Sequence, residues 1–144
     1  MEIEIQEVQP HLPAYEEIWM LRDAVLRKPL GLDLSRTETL SEKDQVHLAA
    51  YRSGSLLGCV LLVPADNEIK LRQMAVAPSA QGQGIGKKLL EAAEKTARDR
   101  GYKIITCHAR ETALGFYKSN GWEVEGERFT EVSIPHFSMK KQLL

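Results

Sequence analysis

The residues Gln81-Gly82-Gln83-Gly84-Ile85-Gly86-Lys87 carry the clearest chemistry in this chain. Three glycines at alternate positions follow the apolar run Met74-Ala75-Val76-Ala77 and open a helical pattern. A helix start leaves about four backbone N–H groups without intrahelical partners, and these bear the positive end of the helix dipole. Glycines there remove the Cβ atoms that would keep a diphosphate from the backbone. The stretch is therefore predicted to bind an anion. A nucleoside-triphosphate loop is excluded: Lys88 stands where the Mg²⁺-binding Ser or Thr belongs, and Gln81 where the first glycine belongs. The spacing Gly82-x-Gly84-x-Gly86, past mid-chain, also departs from the G-x-G-x-x-G of dinucleotide sites.

Gln81-x-x-Gly84-x-Gly86 after an apolar strand resembles motif A of the GNAT superfamily of acyl-CoA-dependent N-acetyltransferases. The block Ala113-Leu-Gly-Phe-Tyr117-Lys-Ser-Asn-Gly121-Trp122 resembles the A-x-x-x-Y-x-x-x-G-[FW] segment that follows it in that family. Two separated motifs in the family's order are more specific than either alone. The resemblance implies acetyl-CoA as cofactor, without a metal, and direct transfer of its acetyl group to a primary amine in a ternary complex. It implies that Gln81, Gly82, Gln83, Gly84, Ile85, Gly86 and Lys87 hold the diphosphate. The backbone of Met74, Ala75 and Val76 would then pair with the pantetheine arm. Tyr117 would stand beside the sulfur, where a hydroxyl supplies a proton to the departing thiolate.

The acceptor side is less plain. Counting back from Gly84, Lys70 takes the place where some family members carry a mid-strand glutamate, and an ammonium is no base near neutrality unless strongly desolvated. Glu68 acting through water, His108 and His136 are the remaining catalytic candidates, and imidazole has the suitable intrinsic basicity. Arg110 replaces the Asn usual three residues before Ala113 and is expected to reach a CoA phosphate or an acidic acceptor. Lys70, Arg72 and Met74 alternate along one strand face, which the resemblance turns toward the acceptor. Lys70, Arg72 and His108 are thus the expected acceptor contacts, and two cations there suggest a small amine that also carries phosphate or carboxylate. Arg22, Arg27 and Arg36 are further candidates, against the plainer reading of solvated charge. The competing readings are a protein or peptide N-acetyltransferase, which needs an open groove, and a non-catalytic CoA-binding module.

The elements that must position these residues follow from periodicity. Strands are predicted at 2–8, 45–51, 55–63, 68–76, 102–107, 122–129 and 136–141. Helices are predicted from Pro13 to the Lys28-Pro29 stop, from Ile85 to Gly101, and over 111–119. In the first helix Arg22 falls on the wetter side. In the second, Ile85, Leu89, Ala93 and Thr96 share the apolar face, while Glu91 with Lys95 and Glu94 with Arg98 are spaced to pair. The strand ending at Cys107 is expected to run parallel to 68–76 through a right-handed crossover. Such patterning specifies a mixed α/β (α+β) domain. The resemblance adds the GNAT acyl-CoA N-acyltransferase fold, a mixed, mostly antiparallel central sheet flanked by helices, in a single domain over 1–144.

Composition narrows the partners. At 144 residues the chain can bury a full core. With 19 basic and 20 acidic residues, its net charge of -1 offers no global field for nucleic acid. No apolar run approaches the ~18 residues of a membrane span. Cys59 and Cys107 lie far apart in apolar runs, without metal-site spacing, which suits a reducing cytoplasm. A homodimer is compatible with all of this.

Overall fold

The computed structural model describes residues 2–10, 12–35 and 45–143. Among the described residues seven strands form one sheet in the order β1-β2-β3-β4-β5-β7-β6. They are β1 (Glu4–Val8), β2 (Val46–Arg52), β3 (Ser55–Ala65), β4 (Glu68–Val76), β5 (Ile104–Arg110), β6 (Glu123–Glu131) and β7 (Ile134–Gln142). Neighbouring strands pair antiparallel except β4 with β5, which run parallel. Helix α2 (Ile85–Asp99) makes the crossover between those two, as the apolar run and intervening helical pattern required. Among the described residues no helix is long and apolar enough to cross a membrane.

Each sheet face is covered by a different helix. Helix α1 (Pro13–Arg22) lays Ile18 on Val8, Ala49, Cys59 and Ala75. Pro13 begins it, where a missing N–H costs nothing. The chain does not run on as α-helix to Lys28 but loosens into a π turn at Asp23–Arg27 and a 3-10 turn at Lys28–Leu30. Helix α2 buries Ile85, Leu89, Leu90, Ala93 and Ala97 on the opposite face. Each of its large aliphatic side chains contributes about 1.5–3 kcal/mol by leaving water.

Among the described residues Arg22 and Glu94 are charged groups that turn out to lie inside. Glu94 does not pair with Arg98; it is buried, accepting from Trp122 Nε1 at 3.2 Å and from Lys141 Nζ at 2.8 Å. It thereby ties α2 to the corner beyond α3 (Leu114–Ser119). On the surface, Lys95 pairs with Asp99 at 2.6 Å. Arg22, expected on the wetter side of α1, is 1% exposed and donates to Gln73 Oε1.

Gly58 sets how closely α2 approaches the sheet. A Cβ there would stand 3.0 Å from the Ala75 carbonyl, 3.1 Å from Leu89 Cδ1 and 3.2 Å from Ile85 Cγ2. Gly58→Ala is therefore expected to destabilise the fold by about 1–3 kcal/mol. A thermal melt should fall by several degrees, and an unchanged midpoint would show that α2 has room to move.

Strand ends also differ from expectation. β5 continues past Cys107 to Arg110, so His108 lies within the strand. The closing strands are longer than predicted and are joined only through Val132-Ser133, both at positive φ. Pro135 is tolerated inside β7 because β5 ends opposite His136, so no β5 carbonyl awaits its absent N–H.

Candidate active site

β4 and β5 pair only from Glu68 with Ile104 to Leu71 with Cys107, and then separate. The cause is a bulge. Arg72 stands opposite Leu61 and Ala75 opposite Cys59, so Gln73 and Met74 together face the single residue Val60. Gln73 adopts φ 53°, a conformation that costs on the order of 1 kcal/mol for a residue with a side chain. The buried Arg22 guanidinium holds its side chain from α1. A bulge bends its strand, and this one leaves the β5-facing edge of β4 beyond Leu71 without a strand partner among the described residues. It also reverses the side-chain alternation. Lys70 and Arg72 share a face with Ala75, on the α1 side. Met74, expected beside them, instead packs toward α2, its sulfur 3.7 Å from where a Gly86 Cβ would lie.

At the far end of this wedge lies the glycine turn. Gly82 and Gly84 hold φ 79° and 80°, which a residue with a Cβ would adopt only under strain. Gln81 Nε2 donates to the Val76 carbonyl at 3.1 Å, and Gln83 Nε2 to the Ser79 carbonyl at 3.2 Å. Arg52 Nη1 donates to Gln83 Oε1 at 2.9 Å. Both glutamine side chains are thus used to shape the turn. Helix α2 starts with no side-chain cap and no acidic residue in its first turn. The Lys88 N–H makes the first helical bond, to Gly84 at 3.1 Å. The N–H groups before it open on a cavity of about 610 Å³ lined by Gly82, Gly84, Gly86, Lys87, Phe116 and Asn120.

That cavity shares Val76, Gln81, Gly82, Gly86 and Phe116 with a second, of about 1000 Å³, which continues along β4 to the α1 side of the sheet. Uncapped amides without a competing carboxylate, followed by an unpaired strand edge, fit a diphosphate joined to an extended amide-bearing arm.

Tyr117 and Cys107 meet where the wedge closes. Tyr117, on α3, is 6% exposed and packs edge-on to Phe116 and Trp122. Its hydroxyl donates to Cys107 Sγ, and burial, reinforced by Cys107, pushes its ionisation far above the ordinary phenol range. Burial likewise pushes the Cys107 thiol up to about 12, although Lys70 and the bond from Tyr117 act the other way. The phenol therefore keeps its proton, and the thiol offers no thiolate to accept an acyl group.

The mouth of the larger cavity gathers charge. Lys70 Nζ lies 3.2 Å from His108 Nδ1 and 3.4 Å from Nε2. Glu131 Oε1 lies 2.9 Å from His108 Nδ1. Partial burial lowers the pKa of the Lys70 ammonium, helped by Arg72. Burial alone would raise the Glu131 carboxyl, but the hydrogen bond from His108 and the charges of His108, His136 and Lys70 hold it below the ordinary range. Arg110 Nη2 donates to the Leu26 carbonyl at 3.1 Å, so it anchors the π turn while lining the cavity. Burial lowers its pKa, and Arg27 adds to this.

Of the residues singled out in the sequence, Tyr117, Lys70, Arg72, His108, His136, Arg27 and Arg110 line this cavity together with Met74 and Val76. Glu68 does not; it opens β4 opposite Ala65, outside both cavities. Arg36 lies outside the described residues. Neither Gln73's bulge nor the place of Glu131, which reaches His108 from 23 residues away, has a local sign in the sequence. Two imidazoles and a carboxylate come near one another here, yet among the described residues no group of metal-ligating side chains converges on one point.

The sequence model of the Acetyltransferase (GNAT) domain matches residues 28–143. YjcF of Bacillus subtilis (strain 168), described as an N-acetyltransferase, is 27% identical over 127 residues, covering 88% of this chain and 91% of its own. A crystal structure of a chain assigned as an N-acetyltransferase, from Lactobacillus plantarum, superposes with a TM-score of 0.87 at 27% identity, covering 99% of both chains. A GNAT family acetyltransferase from Elizabethkingia anophelis, solved with acetyl-CoA bound, shares the fold with a TM-score of 0.74 at 19% identity, covering 97% of each chain.

Proposed function

The chain belongs to the GNAT acetyltransferase family, and from that premise we propose that it acetylates the primary amine of a small anionic molecule by direct attack in a ternary complex. The observation that carries this reading is the continuous cavity from the uncapped start of α2, along the free edge of β4, to the Tyr117 hydroxyl. Acetyl-CoA supplies an activated acetyl thioester. The N–H groups of Ile85, Gly86 and Lys87 bind its diphosphate, and the backbone from Met74 to Val76 pairs with the pantetheine amides. Tyr117 gives its proton to the departing sulfur and recovers one from the nitrogen as the amide forms. Direct attack is supported by the cavity lining, which carries no cysteine among the described residues, while the buried Cys107 thiol behind it is pushed up to about 12 and stays protonated.

The anionic acceptor is supported by the cavity lining. Arg27, Lys70, Arg72 and Arg110 face it, with Glu131 as the one carboxylate among its described lining residues. Arg72 is exposed and makes none of the ties that occupy Arg110, so it is free to meet a carboxylate or phosphate. CoA release measured over a panel of amines tests the proposal. Arg72→Ala is expected to raise KM about tenfold for amines bearing carboxylate or phosphate and to leave neutral amines unchanged. Equal effects on both classes would remove the anionic acceptor. CoA bound without release of thiol for any amine or peptide would remove the enzymatic reading.

A further inference from the structure

At the acceptor end of the cavity one carboxylate stands between two imidazoles. Glu131 Oε1 is 2.9 Å from His108 Nδ1, and its Oε2 is 3.6 Å from His136 Nε2. An ionised carboxylate only accepts, so His108 Nδ1 carries the hydrogen and, in the neutral ring, Nε2 keeps the lone pair. Lys70 Nζ, 3.2 Å from Nδ1 and 3.4 Å from Nε2, shows that an ammonium nitrogen comes within reach of this ring. The ring is held in place a second time by Phe129, edge-on at 5.0 Å. His136 is 3% exposed, and its Nδ1 lies 3.0 Å from the Ile134 carbonyl, which can only accept. That bond turns Nε2 toward Glu131 from the side opposite His108.

We propose that His108, oriented by Glu131, is the base that removes the proton from the acceptor's ammonium group. The proposal rests on the acetyltransferase reading of the same cavity. The acceptor's N–H bond breaks with its electron pair left on nitrogen, and the proton bonds to His108 Nε2. The resulting imidazolium faces the Glu131 carboxylate, which offsets its charge, as in other carboxylate–imidazole pairs. His108 is exposed at the cavity mouth, so the proton passes on to water and the ring is restored. Nothing is oxidised or reduced. Glu131 and His136 act through His108 and are positioning residues.

The groups facing the ring act in opposite senses. Lys70 and Arg72 on β4 and Arg110 on β5 are cations that disfavour a positive charge on the ring. Glu131 at the end of β6 favours the charge once the proton arrives, and His136 on β7 adds to the cationic side only when it is itself protonated. Lys70, on the face of β4 toward the acceptor, thus leaves the proton to a residue on the next strand.

The test uses the full chain. Nitrogen-15 NMR of the free protein should find the hydrogen of His108 on Nδ1, and Glu131→Gln should redistribute it between the two nitrogens. With an amine that the wild type acetylates, His108→Gln should lower kcat/KM about 10²-fold near neutrality, with CoA affinity kept. The deficit should shrink as pH rises, because more of the acceptor then arrives without its proton. Glu131→Gln should show a smaller loss of the same pH dependence. A His108 hydrogen resting on Nε2, or an unaltered rate profile in His108→Gln, overturns the proposal. If CoA binds and no amine is turned over, it is the enzymatic reading that fails, and the NMR result still judges the His108–Glu131 pair.

Discussion

Gly86→Asp is expected to weaken CoA binding by at least about 10²-fold, equivalent to roughly 2.7 kcal/mol, without unfolding the protein. Gly86 is the second residue of α2. A Cβ there would meet Phe116 Cζ at 3.6 Å and the Met74 sulfur at 3.7 Å, both ordinary contacts, so the backbone has room for a Cβ. A carboxylate in the first turn also complements the helix dipole, which is worth about 0.3–1 kcal/mol at an uncapped end. The same carboxylate would occupy and neutralise the amides proposed to bind the diphosphate. Stability and affinity are thus expected to move in opposite directions, a combination that a merely structural glycine would not produce. Calorimetry with CoA beside a thermal melt measures both. Undiminished CoA affinity would mean that the start of α2 is not the diphosphate site.

Tyr117→Phe is expected to lower kcat by about 10²-fold while CoA affinity is retained. The substitution removes one oxygen from a closely packed ring, leaving the contacts with Phe116 and Trp122 in place. What it removes is a proton held by burial through the whole working pH range, next to where the sulfur would leave. The basic limb of the wild-type pH profile should therefore not report Tyr117 ionisation. A variant with normal kcat would make Tyr117 a packing residue, and the proton would then have to come from water.

Much of the order of elements was legible in advance because its signals are local. Alternating apolar residues marked β1 and β4, the leucines and alanines of 85–97 marked the buried face of α2, and Gly101 marked its end. Errors arose where a distant partner overruled the local pattern. Arg22 looked solvated by helical spacing, but it is buried because Gln73 needs a donor there. Glu94 was spaced for Arg98 but turned inward to Trp122 and Lys141. A uniform period of two puts Met74 on the face of Lys70 and Arg72 because it cannot register an extra residue, and the bulge at Gln73 is that extra residue.

What the sequence determined by itself is the glycine turn and the uncapped helix start. Backbone freedom at Gly82 and Gly84, and unpaired amides in the turn that follows, depend on residues adjacent in the chain. The tertiary structure alone decided the opening of β4 from β5 and the placing of His108, Glu131 and His136 at one end of it. Those three come from three strands, and their meeting depends on the registers of β5 with β7 and of β7 with β6. Such registers are set by pairing across the whole sheet, which no short stretch of sequence contains.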